Sequence, residues 1–285
     1  MTSAFSHGHI TCFFHPVRTS DSETTGSRGA GLRITLGTKV TMDERTDRHI
    51  SIVMDGKDSD AAVTRRVISL ICPDRGLDIT IENDLPVGQG FGMSASGAIA
   101  AAAMCACSIA DVDTRQAYRF AHIAEVMEGG GLGDVAAIAS RTHQPVRIRP
   151  GLPPYGKVSG TGLRIRRLTL AVVGDKLSTA PVINDPDMQR RLCEVGSGMV
   201  DDYIRKPSIG RLFSLSREFS SSMGLESEGV RDALDRITKV APAGMCMLGH
   251  SIFTTLPEDE VREILGDVPV FSASTSNEPP FIQRA

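Results

Sequence analysis

The residues best suited to chemistry lie in the stretch PVGQGFGMSASGAIAAAAM, residues 86–104. Glycine occupies every second position from 88 to 92, a segment we call the glycine loop, and Ser94 and Ser96 precede an alanine-rich run. Glycines let a backbone approach a ligand closely, and a helix start offers unpaired N–H groups and partial positive charge to a phosphate. The serines add hydroxyls for phosphate oxygens or Mg²⁺. A glycine turn capped by serine fits the same residues, and their spacing alone leaves both interpretations open.

Two widespread phosphate-binding fingerprints do not match the glycine loop. It lacks the GKS or GKT ending of a P-loop, and its third glycine falls at position 92, which breaks the GxGxxG pattern. A dinucleotide-dependent oxidoreductase would need that pattern between a strand and a helix, with an acidic residue about 20 positions further on. We therefore do not expect this class of enzyme.

A second group of polar residues belongs to a predicted helix at 114–128. Alanine and phenylalanine recur there at helical spacing and predict a buried face, while His122 and Glu125 share the neighbouring face. Three glycines at 129–131 end the helix. A short helix at 132–140 is predicted to start from this glycine turn.

The remaining patterns predict an α+β fold. Alternating apolar and polar residues indicate strands at 32–42 and 77–86, and alanine, the best helix former, indicates a helix at 94–110. The other predicted elements are a strand at 144–150, a strand at 168–174, helices within 185–238, two strands within 245–256, a helix at 257–265 and a strand at 268–274. This order of strand, helices, strand pair, helix and strand is typical of an α+β sandwich.

Proline and glycine concentrate at 150–162, in PGLPPYGKVSGTG, and mark a domain boundary. We therefore predict two domains, 1–155 and 163–285. A chain of 285 residues with 41% hydrophobic content has enough apolar side chains for a core in each.

Composition argues against several classes of function. A net charge of −3, the absence of tryptophan and an aromatic content of 5% speak against a nucleic-acid partner. No basic region followed by an apolar block opens the chain, and the most apolar run, 99–107, is too short to span a bilayer. We expect a cytoplasmic protein that does not enter the membrane.

Neither the cysteines nor the histidines form a recognisable metal motif. The six cysteines show no zinc-type spacing, so we expect reduced structural thiols, with Cys105 and Cys107 as small core residues. His7, His9 and His15 lie close together, but no cysteine or carboxylate clusters with them. These histidines indicate a metal site only weakly.

Three motifs together resemble the GHMP kinases, a family that includes galactokinase and homoserine, mevalonate and phosphomevalonate kinases. The ATP-binding signature of this family is matched by Pro86, Gly88, Gly90, Gly92, Ser94 and Ala95. A helical Glu, a glycine turn and an Asp are matched by AEVMEGGGLGDVAA, which supplies Glu125 and Asp134. A C-terminal glycine motif is matched loosely by APAGMCMLGHSIFTT. The motifs follow the family order over nearly the whole chain.

The resemblance implies the two-domain GHMP kinase fold. Its N-terminal nucleotide domain is similar to domain 2 of ribosomal protein S5, and its C-terminal domain is a ferredoxin-like α/β sandwich. The segments FSHGHITCFF, GSRGAG and GQGFGMSASGA resemble a branch of the family that phosphorylates (R)-pantoate to (R)-4-phosphopantoate on the archaeal route to coenzyme A. His7 stands where this branch has a proline and Cys12 where it has a glycine, both near the expected substrate pocket.

The resemblance also implies roles for the polar residues around ATP. The triphosphate is expected on the loop formed by Pro86, Gly88, Gly90, Gly92, Ser94 and Ser96. Mg²⁺ is expected to take Ser94 and Glu125 as ligands, with Glu128 as the second choice of carboxylate. Asp134 is expected to act as the base that takes or orients the proton of the acceptor hydroxyl, a role compatible with capping the helix that follows it.

An acceptor that carries a carboxylate needs a cation, and a guanidinium can grip it through two parallel hydrogen bonds. Arg28 and Arg147 are the two candidates. Ser27 and His122 are further candidate contacts to the substrate. The family often forms homodimers, so the resemblance implies a possible homodimer here.

Two other functions stay open at this point. The acceptor of a related kinase would be homoserine, shikimate or a mevalonate derivative. A ligand sensor without catalysis would be expected to lack the base or the Mg²⁺ carboxylate, whereas Asp134 and Glu125 are both present.

Overall fold

The computed structural model of the protein describes residues 2–108, 112–177 and 184–284. The strands of the described residues are, in order from β1 to β12, Thr2–Val17, Gly26–Arg45, Ile50–Met54, Lys57–Asp58, Gly76–Asn83, Pro145–Arg149, Lys157–Gly160, Leu168–Val172, Ala243–Met245, Ser251–Thr254, Val270–Ala273 and Phe281–Arg284. The helices, from α1 to α8, are Ala62–Ile71, Met93–Ser108, Thr114–Met127, Asp134–Ala139, Pro186–Arg205, Ile209–Met223, Glu228–Ile237 and Glu258–Leu265. The molecule is therefore α+β, as the sequence predicts.

The larger sheet has the strand order β12-β1-β2-β5-β3-β4, with β6 paired to β2 and β7 paired to β6. Its pairs are antiparallel except β3 with β5. The glycine loop follows β5 and leads directly into α2. The strand–loop–helix unit that the sequence indicates is therefore present from β5 to the end of α2, while residues 109 and 110 of the predicted helix lie outside the described residues.

Strand β1 is covered on both faces. Helix α2 packs on one side of it, and α5 and α6 from the second half of the chain also contact it. Most of its side chains are buried, with no regular alternation. A strand buried on both faces loses the period-2 signal, which explains why the sequence analysis assigned no strand to residues 2–17.

Helix α2 is buried on all sides from residue 95 to residue 105. Residues 98–105 are each at most 9% exposed, and the helix packs against α1, α3, α4, β1 and β2. Alanine suits this position because it forms helix readily and lets neighbouring elements approach closely. Cys105 is buried here, as predicted, but Cys107 is exposed at the C-terminal end of the helix, so its assignment to the core was wrong.

The smaller sheet has the order β11-β8-β10-β9 and is antiparallel throughout. Helices α6, α7 and α8 pack against it. Its core is continuous with β1: the rings of Phe13 and Tyr203 are 5.6 Å apart, and those of Phe14 and Phe219 are 5.5 Å apart.

Most predicted elements of both halves are confirmed, from the strand at 32–42 to that at 268–274. Besides β1, the analysis missed β3, β4, α1, β7 and β12, and β7 lies within the stretch 150–162 that was predicted to be a domain boundary. The division into domains 1–155 and 163–285 stays a prediction, and β12 from the C-terminal end pairs with β1 in the larger sheet. Among the described residues, no helix combines the length and apolarity needed to cross a membrane.

Replacing Phe13 with alanine tests whether β1 joins the two halves. The ring is fully buried, so we expect Phe13→Ala to lower the free energy of unfolding by about 3–5 kcal/mol through lost burial and the cavity left behind. Val240→Ala is the control, because Val240 is 63% exposed and its loss should change stability by less than about 0.5 kcal/mol. Urea unfolding measures the free energy of unfolding of both variants. Equal losses of stability would contradict the conclusion that the Phe13 ring is a core contact of β1.

Candidate active site

A cavity of about 340 Å³ lies where the glycine loop, the α3–α4 turn, β1 and the segment before β10 meet. It contains nine of the residues that the sequence analysis assigned to the site, namely Ser27, Pro86, Gly88, Gly90, Gly92, Ser94, Glu125, Asp134 and Arg147. Thr11, Met247 and Leu248 also line it. The cavity therefore joins the phosphate-binding candidates to both catalytic candidates.

The glycine loop is closely packed against the C-terminal half of the chain. Gly90 has φ of +78°, and a Cβ atom there would lie 2.5 Å from the carbonyl oxygen of Cys246. Only glycine satisfies both requirements without strain. Helix α2 begins at Met93, and the Ser96 amide donates to the Gly92 carbonyl at 2.9 Å. Gly92 is therefore at the cap position, and neither Ser94 nor Ser96 is, so the alternative of a serine cap was wrong.

Gln89 fixes the glycine loop to the second half of the chain. Its side-chain amide donates to the Gly174 carbonyl at 2.9 Å and accepts from the His250 amide at 3.0 Å. Ser251 donates through its hydroxyl to the Gln89 carbonyl at 2.5 Å. These contacts hold the loop in place before any ligand binds. The sequence contains no local signal for them, because their partners lie more than 80 residues away.

Glu125 and Asp134 meet across the glycine turn between α3 and α4. The side chain of Glu125 is 2% exposed, and its Oε1 accepts from the Val135 amide at 3.4 Å. Its Oε2 lies 4.0 Å from His122 Nδ1 and has no hydrogen-bond partner among the described residues. Burial and then the charge of Asp134 raise the pKa of Glu125 well above its usual range. Both causes favour the protonated form of this carboxyl group.

The pKa of Asp134 is shifted in the opposite direction. Its side chain is 25% exposed at the cavity wall. Burial raises the pKa of Asp134, but the hydrogen bond and charge of His9 and the charge of Arg147 outweigh burial and hold this pKa below its usual range. The pKa values of the two carboxyl groups are therefore shifted in opposite directions.

The sequence analysis missed the contact between His9 and Asp134. Its Nδ1 lies 2.7 Å from Asp134 Oδ1, and the ring is fully buried behind the cavity wall. The histidines of the first strand were judged only as metal ligands, and no carboxylate is near them in sequence. The partner is 125 residues away, so only the folded chain brings the pair together.

Arg147 is held at the base of the cavity with donors to spare. It is 1% exposed, its Nη2 lies 3.5 Å from Thr11 Oγ1, and its Nε and Nη1 have no partner among the described residues. A Cβ atom on Gly133 would lie 2.6 Å from Arg147 Nε and 2.4 Å from Ser27 Oγ. Gly133 thus leaves open the point where the guanidinium and the Ser27 hydroxyl converge.

Three predicted site residues are not brought to the cavity. Ser96 donates its hydroxyl to the Ser6 carbonyl at 2.6 Å and is fully buried. Arg28 donates to the Ile148 carbonyl at 3.0 Å and forms an ion pair with Asp201.

The third, His122, is buried and bonds the Thr25 carbonyl at 3.0 Å. Helix and strand geometry explains why Ser96 and Arg28 do not face the cavity whereas their neighbours Ser94 and Ser27 do. Ser94 and Ser96 are about 200° apart around a helix, and neighbours such as Ser27 and Arg28 point to opposite faces of a strand.

Three further residues singled out in the sequence play other parts. Glu128 lines the cavity, but its carboxylate is engaged by Arg66 at 2.7 Å. His7 is buried with its Nδ1 3.2 Å from an Arg33 nitrogen, and burial together with the Arg33 charge lowers the pKa of His7 to about 4. Cys12 is fully buried in the core. Neither His7 nor Cys12 lines the cavity.

Comparisons with known proteins agree on one family. The model of the GHMP kinases N terminal domain matches residues 61–141. A pantoate kinase of Thermococcus kodakarensis is 31% identical, over 99% of this chain and 98% of that protein. A solved phosphotransferase related to the CoA biosynthesis pathway has a TM-score of 0.88 at 27% identity, over 99% of this chain and 98% of its own. A mevalonate kinase, 14% identical over 97% and 99% of the two chains, shares the fold with a TM-score of 0.69.

The close packing of the glycine loop generates a test. Gly90→Ala is expected to lower the free energy of unfolding by about 1–3 kcal/mol, because the new Cβ meets backbone oxygens at a positive φ. Gly198→Ala is the matched control. Gly198 is exposed within α5, a Cβ there meets no described atom within 4 Å, and alanine should stabilise the helix by up to about 1 kcal/mol. Urea unfolding of both variants decides, and destabilisation of the same size in both would refute the packing argument.

Proposed function

This chain belongs to the GHMP kinases, among the pantoate kinases, and from that premise we propose that it transfers the γ-phosphoryl group of ATP to the 4-hydroxyl of (R)-pantoate. The products are (R)-4-phosphopantoate and ADP. One observation carries the proposal: an ionised carboxylate, a buried guanidinium with free donors and a helix-start glycine loop border the same cavity. This combination suits an acceptor that carries both a hydroxyl and a carboxylate.

ATP is assigned to the glycine loop and the first turn of α2, whose N–H groups suit a phosphate. A second cavity of about 240 Å³ adjoins this region and shares Val63, Val87, Met93, Ser94 and Glu128 with the first. The rest of its lining includes apolar residues such as Met54 and Ile81. We assign the purine ring to this cavity, since flat apolar surfaces suit a base while the glycine loop takes the triphosphate.

The residues present also fit Mg²⁺. Among the described residues Glu125 Oε2 is buried without a hydrogen-bond partner, and the exposed Ser94 borders the same cavity, so both side chains offer the oxygen ligands this ion prefers. The described residues contain no group of three or more His, Cys, Asp or Glu side chains able to hold a metal alone. Mg²⁺ bound mainly by phosphate oxygens needs only one or two protein ligands. When bound, it would neutralise charge on the transferring phosphates.

Arg147 and Ser27 are assigned to the carboxylate of the acceptor. Nε and Nη1 of Arg147 have no partner among the described residues, and Nη2 has only the 3.5 Å contact with Thr11, so the guanidinium keeps donors for a carboxylate. The Ser27 hydroxyl converges on the same space above Gly133. Arg28 is the weaker candidate because Asp201 and the Ile148 carbonyl already engage it. The choice between the two arginines therefore favours Arg147.

The chemistry requires little beyond positioning and charge. Asp134 accepts the proton of the 4-hydroxyl, the hydroxyl oxygen forms a bond to the γ-phosphorus, and the bond from that phosphorus to the bridging oxygen breaks to release ADP. An ionised Asp134 is the state this step needs. Because ATP is present inside cells, we propose that the reaction takes place in the cytoplasm. The homodimer stays a prediction.

The activity is tested by ADP release from Mg·ATP with (R)-pantoate, pantothenate, homoserine, shikimate or mevalonate. We expect turnover with pantoate, and we expect Asp134→Asn to lower kcat by about 10²- to 10⁴-fold because it removes the base. Asp201→Asn, on the exposed ion pair with Arg28, is the matched control and should retain activity. Turnover only with another acceptor would overturn the substrate and leave the fold and chemistry in place.

A second test separates the two arginines. Arg147→Lys keeps the charge but loses the planar pair of donors, so KM for pantoate should rise about 10- to 100-fold, the equivalent of losing one or two hydrogen bonds to a charged group. KM for ATP should change by less than about threefold. Arg28→Lys is the control and should leave both constants near those of the wild type. The reverse pattern would assign the carboxylate to Arg28.

A further inference from the structure

We infer that His9 is a positioning residue for the kinase reaction: it holds Oδ1 of Asp134, so that Oδ2 is the oxygen that takes the proton from the acceptor hydroxyl. This inference rests on the proposed function. His9 does not line the cavity, so it acts through Asp134 and does not touch the substrate.

The contacts divide the two oxygens of Asp134. His9 Nδ1 lies 2.7 Å from Oδ1, and Thr11, two residues further along β1, donates to the same oxygen at 3.5 Å. Oδ2 lies over Gly131, where a Cβ atom would come within 2.6 Å of it. Glycine therefore keeps the approach to Oδ2 open from the cavity side, while Oδ1 is held from behind.

The hydrogen bond has a defined direction. An ionised carboxylate only accepts, so Nδ1 of His9 carries a proton and donates the hydrogen bond to Oδ1. Nε2 is buried with no hydrogen-bond partner among the described residues. Asp134 is thus the main polar contact of the ring among the described residues, which is expected of a side chain whose purpose is that contact.

The fold makes specific room for this ring. A Cβ atom at Gly31, on the paired strand β2, would lie 2.3 Å from His9 Nε2. The register between β1 and β2 shifts between His7 and His9 and again between Thr11 and Phe13. Irregularities of this kind re-aim side chains next to functional sites. Here they bracket the segment that faces Asp134.

The backbone of His9 also contacts the glycine loop. Its amide donates to the Phe91 carbonyl at 3.0 Å, and a Cβ atom on Gly92 would lie 2.8 Å from its carbonyl oxygen. One residue therefore fixes the end of the proposed phosphate loop with its backbone and the base with its side chain. His9 therefore sets the distance between the glycine loop, where we place the triphosphate, and the carboxylate of Asp134, where we place the acceptor hydroxyl.

Three substitutions at His9 test the assignment. Asparagine places an N–H donor where Nδ1 lies, glutamine places it near the position of Nε2, and alanine removes it. We expect His9→Ala to lower kcat with pantoate about 10- to 100-fold, as for a misplaced catalytic group, with KM for ATP and for pantoate within about threefold of the wild type. His9→Asn should recover kcat to within about threefold of the wild type, and His9→Gln should stay near the alanine variant.

The controls separate positioning from a general structural effect. His7→Asn is the matched control, because His7 is buried on the same strand but contacts Arg33 away from the cavity, so kcat should be unchanged. Combined with Asp134→Asn, His9→Ala should cause no further loss of kcat, because both act through one carboxylate.

Each other outcome has a distinct meaning. A wild-type enzyme without pantoate turnover would overturn the proposed function itself. Normal turnover with equal recovery by asparagine and glutamine, an unchanged kcat in His9→Ala, or additive losses with Asp134→Asn would overturn the role of His9 alone. If His9→Ala does not fold, the comparison of the asparagine and glutamine variants decides. Loss of folding in all three would mean that His9 is only structural.

Discussion

The site depends on one electrostatic constraint: Glu125 and Asp134 share a buried corner with a single guanidinium, Arg147. Ionising two neighbouring carboxyl groups in a buried place costs free energy, because each charge loses solvation and the two charges repel. Unequal hydrogen bonding favours ionisation of one group over the other. His9 supports the charge on Asp134, whereas Glu125 Oε2 has no hydrogen-bond partner among the described residues. The result is a pKa below the usual range for Asp134 and above it for Glu125, which suits the proposed base and the proposed cation ligand.

The rest of the fold can be understood from the need to hold this group in place. Glu125 comes from the last turn of α3 and Asp134 from the first residue of α4, so a glycine turn must bring them together. Arg147 comes from β6, opposite Gly29 of β2. His9 comes from β1, which crosses behind the cavity. Four separate elements thus converge on a few polar atoms, and the apolar cores on either side of β1 keep them aligned.

The second half of the chain contributes rigidity more than reacting groups. Gln89 ties the glycine loop to the strands of the smaller sheet, and Met247 and Leu248 close one wall of the cavity. A loop that is already ordered loses little entropy when phosphate binds. The C-terminal motif approaches the glycine loop through its own backbone at Gly249, where a Cβ atom would lie 2.0 Å from the Gln89 backbone.

The sequence by itself determined whatever depends on short-range periodicity and local backbone freedom. The glycine loop, the helix–turn–helix that carries Glu125 and Asp134, and most strands and helices follow from residues that are neighbours in the chain. Tertiary structure alone decided which of two adjacent candidates faces the cavity, as with Ser94 over Ser96 and Ser27 over Arg28, because helix and strand geometry turn such neighbours to different sides. It also decided that His9 meets Asp134, since no local pattern encodes a contact between residues 125 positions apart.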